Sequence, residues 1–174
     1  MSSGARVHDD RGPCTSLSQS VTTGLAGRVL RVRQHGPVQT TVVTVRTGAR
    51  PTVLDLTDAC AGFLREVRAD DGLLSVFVPH ATAGLAVLET GAGSDADLLQ
   101  VLREQLLPGD LPYAHRHGSP GHGRDHVLPA LVSPSLTVPV VAGRMALGTW
   151  QSVCLVDTNV DNPERDVRLS FLAG

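Results

Sequence analysis

The sequence contains no lysine, and all fifteen of its basic residues are arginine. These arginines are scattered along the chain, and the formal net charge is −2. The densest group, Arg28, Arg31 and Arg33, is more typical of a solvated segment than of a polyanion-binding face. The charge pattern therefore argues against a broad nucleic-acid-binding surface, and we expect no nucleic-acid partner.

Aromatic residues are also few, at 3% of the chain, so its core must be built from valine, leucine and alanine. A hydrophobic fraction of 41% and a charged fraction of 18% are typical of a globular chain, and 174 residues suit one domain. No apolar run is long enough to span a bilayer, and no apolar segment of signal-peptide type follows the first basic residues. We therefore expect a cytoplasmic protein without a membrane partner.

Cysteine is scarce and odd in number: Cys14, Cys60 and Cys154. No two of them have the CxxC spacing, which argues against a disulfide framework or a thiolate metal site and favours a reducing compartment. Cys60 and Cys154 lie in apolar runs. This placement is more typical of small buried hydrophobes than of nucleophiles.

The chain divides into a flexible leader, residues 1–37, and one domain, residues 38–174. The leader is rich in Gly, Ser, Thr and Arg and has no sustained periodicity. The domain opens with a run dense in β-branched residues, 39–47, which predicts a strand. A second short strand follows at 52–56, and Thr57 or Asp58 would cap a helix that ends near residue 67.

Further strands and a second helix follow this helix. The apolar run that ends at His80 predicts a strand, and residues 81–89 are expected to continue as an adjacent strand. A second helix would begin near Ser94 or Asp95, with five leucines on one face (Leu98, Leu99, Leu102, Leu106 and Leu107). Short apolar segments at 127–132, 135–141 and 144–157, and a last strand near the C-terminus, complete the pattern. Two convincing helices among several short strands predict an α+β fold, a largely antiparallel β-sandwich.

Four of the seven histidines lie in one loop of about fifteen residues: His115, His117, His122 and His126. Long ordered loops are usually functional, and imidazoles bind divalent metals, contact phosphate and transfer protons near neutral pH. Their spacing matches no specific zinc signature, so a histidine-rich loop without a fixed role stays open. His80, followed by small residues, is either a site residue or a structural histidine.

Two further features carry candidate residues. Glu89 follows His80 by nine positions and would face the same cavity if the intervening strand is regular. Trp150, the only tryptophan, and Gln151 follow a glycine, and either an anchoring role in the sandwich or a direct ligand contact fits this string. Asp95 and Asp97 lie where a helix begins, so a capping role is at least as plausible as catalysis. The chain contains neither a phosphate-binding P-loop nor a G-x-S-x-G motif.

Three strings together resemble the YjbQ family of secondary thiamine-phosphate synthases: VFVPHATAGLAVLE, PYAH, and GHGRDHVLPALVSPSLTVPVVAGRMALGTWQ. The similarity covers residues 39–174, and its most specific part runs from Ser135 to Gln151. It implies a compact sandwich with two helices that assembles as a homotrimer, with a polar cavity near the subunit boundaries. In the implied reaction, a thiazole phosphate attacks a hydroxymethylpyrimidine diphosphate and pyrophosphate is released.

The resemblance also implies roles for individual residues. The catalytic residues would be His80, Glu89 and His126; the substrate would contact Thr82, Arg124, Trp150 and Gln151; and a divalent metal, Mg or Zn, would be bound by His80, His115 and His126. Asp97 matches the acid at the start of the family's helix. Four places depart from the family. Leu88 replaces an asparagine, and Arg124 replaces the first histidine of a His-x-His pair. The Asp-Pro element after Glu89 becomes the shorter segment 91–95, and the Asp-Gly-Pro-Arg turn becomes residues 161–165.

These departures leave the enzymatic assignment open. The preferred prediction is an enzyme of the thiamine-phosphate synthase type that acts on a small phosphate ester or diphosphate. The alternatives are a non-catalytic trimeric protein that binds a metal or another ligand, and a phosphate-ester hydrolase that uses the same cavity.

Overall fold

The computed structural model describes residues 28–29, 33–34 and 38–174, with side chains from residue 38 onward. Most of the predicted leader, including Cys14, lies outside the described residues. In chain order the elements are β1 (Arg28–Val29), β2 (Arg33–Gln34), β3 (Val38–Arg46), β4 (Thr52–Asp55), α1 (Thr57–Glu66), β5 (Gly72–Phe77), β6 (Ala83–Leu88), α2 (Ser94–Val101), a π-helical segment (Leu102–Leu106), α3 (His122–Asp125), α4 (Leu128–Leu131), β7 (Ser135–Val141), β8 (Arg144–Met145), β9 (Ser152–Asp157) and β10 (Glu164–Ala173).

The strands form two sheets. The large sheet has the order β1-β3-β10-β5-β7-β8, with β2 also paired to β3, and the small sheet has the order β4-β9-β6. Every pairing among the described strands is antiparallel. The predicted α+β architecture, largely antiparallel with few helices, is therefore confirmed.

The two sheets pack against each other around an aliphatic core that also includes α1. Alternating residues of β9 explain how the small sheet is buried on both faces. Val153 and Leu155 face the main core, whereas Val156 packs with Leu102 and Leu128 on the other side. The small sheet is thus a middle layer, covered by the large sheet on one face and by the π-helical segment and α4 on the other.

Residues 81–89 were expected to form a strand beside β5, and the structure corrects that pairing. They contain β6, but β6 pairs with β9 in the small sheet, and β5 pairs with β10 and β7. Gly84 allows α4 to pack tightly here, because a Cβ at this position would overlap the carbonyl oxygen of Val132.

Two helical segments also differ from the sequence prediction. The second helix becomes π-helical at residue 102, where the Leu107 N–H donates to the Leu102 carbonyl. The extra residue in this turn rotates the leucine face, so Leu107 is buried but Leu106 is 53% exposed. Residues 127–132, which the sequence gives only as a short apolar segment, contain α4. Its Pro129 lies in the first turn of the helix, where proline is tolerated.

Both described cysteines, Cys60 and Cys154, are buried and free. Burial raises the pKa of each thiol to about 12, so neither is a ready nucleophile at neutral pH. No helix among the described residues is long and apolar enough to cross a membrane.

Candidate functional site

The four loop histidines form one cluster of imidazole rings. His115 lies 3.9 Å from His117, 4.3 Å from His126 and 5.5 Å from His122, measured between ring centroids. A nitrogen atom from each of His115, His117 and His122 lies within 4.8 Å of the other two. Residues that are up to seven positions apart in the sequence thus present nitrogen donors to a common point.

Two glycines allow the loop to fold into this cluster. A Cβ at Gly123 would overlap the carbonyl oxygen of His115 and lie 3.2 Å from the Cβ of Tyr113. Gly118 has φ +85°, and a Cβ there would overlap the His122 ring. The segment that carries His115 can therefore lie directly against α3 only because both positions lack a side chain.

The spacing of His122 and His126 follows from the short helix α3. Residues four apart share one face of a helix, and their Nε2 atoms lie 2.9 Å apart. At this distance one nitrogen donates and the other accepts, so at least one of the two rings is neutral at this atom.

Asp161 anchors the cluster from the loop that follows β9. Its Oδ2 atom lies 2.7 Å from His122 Nδ1 and accepts a hydrogen bond from the Ser119 N–H at 3.3 Å. Hydrogen bonds from Ser119 and His122 lower the pKa of the Asp161 carboxyl, which keeps it ionised at neutral pH. Because the carboxylate only accepts, this contact places a proton on His122 Nδ1, and Nε2 of the neutral ring then accepts the hydrogen bond from His126 Nε2.

A buried arginine holds the loop that presents Asp161. Arg165 Nη2 donates to Asp157 Oδ1 at 3.1 Å, and Arg165 Nε lies 3.0 Å from Asp157 Oδ2. Arg165 Nη1 also donates to the carbonyl oxygens of Asn162 and Glu164. Because both charged groups are buried and paired, this network fixes the course of residues 157–165 at the end of β9.

Asp125, buried within α3, links the cluster to the same loop. It accepts hydrogen bonds from the Thr158 hydroxyl at 2.8 Å and from Asn159 Nδ2 at 3.2 Å. Arg124 contacts the Asp125 carboxylate at 3.3 Å through Nε and Nη2. Arg124 therefore lies beside the cluster, with its Nε and Nη2 atoms paired to a carboxylate.

A cavity of about 440 Å³ adjoins the cluster. Its wall includes His115, His117, Arg116 and Arg124. A cationic, histidine-lined cavity of this kind suits a small anionic ligand.

The pKa shifts of His115 and His126 favour neutral rings. Desolvation and the neighbouring imidazoles lower the pKa of His115, and the same two causes lower the pKa of His126. Neutral imidazole is the form that binds a metal ion. Three nitrogen donors, with a carboxylate behind one of them, fit the ligand set of a zinc-type ion better than the oxygen set that magnesium prefers.

His80 lies outside the group of contacting rings. Its Nε2 atom accepts a hydrogen bond from the Asp166 backbone N–H at 3.1 Å, at the point where β10 extends beyond the end of β5. Burial and the nearby Arg165 charge lower the pKa of His80. Nε2 of His80 is therefore occupied by a backbone hydrogen bond. Thr82 is buried and directly precedes β6, at the end of the small sheet where β9 ends at Asp157.

Glu89, Trp150 and Gln151 lie at the other end of the small sheet. Because Ala83 pairs with Asp157 and Leu88 with Ser152, Glu89 follows β6 at the end where Gln151 precedes β9. Six strand residues span about 20 Å, so within one chain this group does not meet the histidine cluster. Trp150 is 73% exposed.

The family model described as "UPF0047 protein YjbQ-like" matches residues 41–174. The chain belongs to this family. A UPF0047 protein of Mycobacterium tuberculosis strain H37Rv, Rv2556c, is 59% identical over 137 residues, which cover 79% of this chain and 100% of the relative. A UPF0047 protein of Methanothermobacter thermautotrophicus is 32% identical over 134 residues and covers 76% of this chain and 91% of its own.

Two solved structures have the same fold. The hypothetical protein APE1520 of Aeropyrum pernix superposes with a TM-score of 0.69 at 37% identity, over 78% of this chain and 98% of its own. A YbjQ-like protein of unknown function from Sulfolobus solfataricus, SSO2532, superposes with a TM-score of 0.73 at 23% identity, over 79% and 98% of the two chains. The names of these four proteins state no activity.

Sequence reasoning assigned no site role to Asn159 and Asp161. Both lie in the loop after β9, which reads only as a turn rich in Asn, Asp and Pro. A usable signal was the polar run that directly follows a fully buried strand, since buried polar groups at a strand end need partners. His122 and His126 are four residues apart, a spacing that predicts one shared face of a helix. This signal was missed because the segment was predicted to be a loop.

Proposed function

We propose that the histidine cluster is a zinc-type metal centre, with His115, His117 and His122 as ligands and His126 packed beside them. The observation that carries the proposal is the convergence of three imidazole nitrogens within 4.8 Å. The carboxylate of Asp161 on His122 supplies the outer contact that orients metal-binding histidines. A bound ion would supply Lewis-acid stabilisation of negative charge on a phosphate oxygen.

The substrate class that this centre suits is a phosphate ester or diphosphate. The adjoining cavity offers the Arg116 and Arg124 guanidiniums beside the imidazoles. Arginine presents a planar fork that matches phosphate oxygens. A negatively charged group held here would lie against the ligands His115 and His117.

Within this class, we propose the thiamine-phosphate synthase reaction that the resemblance implies. The ring nitrogen of a thiazole phosphate forms a bond to the methylene carbon of the pyrimidine diphosphate, and the bond from that carbon to the diphosphate oxygen breaks. Pyrophosphate leaves with the bonding pair. Arg124 would bind the leaving group, and a neutral imidazole of the cluster would accept or donate a proton near it.

The test has a binding arm and a turnover arm. Zinc titration calorimetry on the full chain should give one site. His122→Ala should weaken it by at least about a hundredfold, because a ligand is lost and even an outer-shell partner is worth about 10–100-fold in affinity. His80→Ala is the matched control, and we expect it to leave zinc affinity unchanged because His80 is outside the cluster. Zinc affinity that survives His122→Ala would contradict the metal centre.

The turnover arm separates the three candidate activities. Metal-loaded protein is assayed for thiamine phosphate formed from the two substrates and, separately, for phosphate released from a general ester such as p-nitrophenyl phosphate. Formation of thiamine phosphate that requires His122 supports the synthase. Phosphate release alone would favour the hydrolase, and zinc binding without turnover would favour a non-catalytic binding protein.

A further inference from the structure

A second cavity lies between α1 and the β7–β8 hairpin. Its volume is about 690 Å³, within the range of about 300–1,000 Å³ typical of small-molecule sites. Ala61, Leu64, Met145 and Leu147 supply an apolar wall. The sequence string that contains Gln151 also contributes, since Gln151 lines the cavity.

Three arginines line this cavity: Arg65, Arg68 and Arg144. No carboxylate is among its lining residues in the described part of the chain. The ion pairs formed among the described residues involve Arg46, His122, Arg124 and Arg165, and none of these lines the cavity. The three guanidiniums therefore create a positive region that has no described acidic partner.

The walls of the cavity are fixed to each other by hydrogen bonds. The Gly143 N–H donates to the Asp70 carbonyl at 3.2 Å, and the Ala142 N–H donates to Asp71 Oδ1 at 2.8 Å. A Cβ at Gly143 would lie 2.7 Å from the Ala69 carbonyl oxygen, so only glycine allows this approach. The segment after α1 and the hairpin turn thus hold their relative position without a ligand.

Arg68 adopts a backbone conformation that suits glycine better. It has φ +52° just after the end of α1, where a helix commonly ends with glycine. Residues with a side chain disfavour this left-handed backbone conformation, so arginine at position 68 costs stability. Favourable interaction with the helix C-terminus would account for Arg65 and Arg68, but it does not account for Arg144, which comes from β8.

This cavity is separate from the histidine cluster. Gln151 precedes β9, whereas Asn159 and Asp161 follow it, so the two sites lie at opposite ends of a strand about 20 Å long. The cavity beside the cluster and this cavity have no lining residue in common.

We propose that this cavity, the arginine cleft, binds a phosphate monoester that carries an apolar body. The phosphate would contact Arg65, Arg68 and Arg144, and the apolar body would lie against Met145 and Leu147. The amphipathic lining is what selects this class over free phosphate, which would leave the apolar wall exposed to water. The proposal is independent of the metal centre.

The test is titration calorimetry of the full chain with phenyl phosphate at low ionic strength. EDTA is present and the chain carries His122→Ala, so that the histidine cluster holds no metal. Arg144→Gln and Arg68→Gly should each weaken binding by about tenfold, because each removes a charge-assisted contact. Arg103→Gln, a surface arginine outside the cleft, is the matched control and should bind as the parent does.

Arg68→Gly separates a binding role of Arg68 from a structural role, because the two roles predict different changes in melting temperature. Glycine relieves the positive φ, so we expect the melting temperature to stay equal or rise while phenyl phosphate affinity falls. Inorganic phosphate and phenol should each bind more weakly than phenyl phosphate.

Each of these outcomes would overturn the proposal: no binding by the parent chain, affinity in Arg144→Gln and Arg68→Gly equal to that of the parent, or the same loss with Arg103→Gln. A change in oligomeric state in Arg144→Gln with unchanged affinity would also overturn it, by assigning the cleft to a subunit contact. Zinc titration of the chain with an intact His122 remains a separate measurement, so failure here leaves the metal centre standing.

Discussion

His80 has its Nε2 atom committed to the Asp166 backbone N–H, whereas the cluster histidines face one another and a cavity. A histidine that must accept a backbone hydrogen bond is stabilised in the neutral form. This residue therefore fits a structural role at the end of the large sheet better than a metal ligand role through the same atom.

This role predicts a pH dependence of stability. The pKa of His80 is lowered by burial and by Arg165 from its ordinary value of 6.5. Between the lowered and the ordinary pKa the unfolded chain binds more protons, so stability is full above the ordinary value and falls as pH decreases through it. In His80→Gln, whose amide oxygen can accept the same hydrogen bond, the melting temperature should fall less between about pH 7.5 and 5.5.

The measurement is thermal unfolding of metal-free protein, followed by circular dichroism at several pH values. A pH slope in His80→Gln equal to or steeper than that of the wild type would contradict the role assigned to His80.

Single residues were predictable where their chemistry is local. The loop histidines stand out by composition, so their grouping into one site was accessible from the sequence. The contact of Asp161 with His122 was not predictable from the sequence. The two residues are 39 positions apart, and they meet because Arg165 fixes the course of the loop that carries Asp161.

Among the short elements, α3 and the loop before it are the ones that build the site. Gly123→Ala tests this arrangement, because a Cβ there would collide with the His115 carbonyl and push the loop away. We expect zinc affinity to fall by about tenfold, with only a small change in melting temperature, since the loop is exposed.

Gly62→Ala in α1 is the matched control. The nearest group to a Cβ at Gly62 is the Arg65 guanidinium, at 3.8 Å, and alanine favours helix. Its zinc affinity should equal that of the wild type. Equal zinc affinity in Gly123→Ala would show that contact between the loop and α3 does not assemble the site.

A second prediction at this scale concerns residues 1–37. The described dipeptides β1 and β2 pair with β3 over two residues each, whereas β3 pairs with β10 over nine. We therefore expect the chain that lacks residues 1–37 to unfold cooperatively, with a melting temperature only a few degrees below that of the full chain. Loss of cooperative unfolding on this deletion would contradict the predicted leader.

Elements with a strong local pattern were predicted correctly, and their partners were not. The β-branched run predicts β3. The first helix is present as predicted, but the predicted cap at Thr57 or Asp58 is wrong: the N-cap residue is Leu56, and no side chain caps the helix. The pairing of β6 with β9, which are more than sixty residues apart, depends on which faces both sheets bury, and no local pattern encodes that choice. The π-helical turn was not predicted either, because the leucine spacing alone fits a regular α-helix.

At the scale of the whole molecule, the open face of the large sheet bears a row of exposed apolar residues. Val38, Leu172, Leu73 and Pro139 lie side by side on four adjacent strands. The first three are each more than 40% exposed. A continuous apolar row on a sheet face is typical of a surface covered by a partner.

We propose that copies of this chain cover the row and that the assembly is the homotrimer implied by the resemblance. Light scattering at micromolar concentration should report three copies, and Leu73→Asp should shift the mass toward one copy because it places charge in an apolar contact. Leu131→Asp, at an exposed leucine on α4, is the matched control and should remain trimeric. A monomeric wild type, or a trimer unchanged by Leu73→Asp, would contradict the proposal.

The metal centre is the central claim, and anomalous diffraction at the zinc edge tests it most directly. Crystals grown with one equivalent of zinc should show a peak about 2.1 Å from a ring nitrogen of each of His115, His117 and His122. A strong zinc peak bound elsewhere, for example at His80, or zinc-free imidazoles in crystals of the zinc-treated protein, would contradict the account.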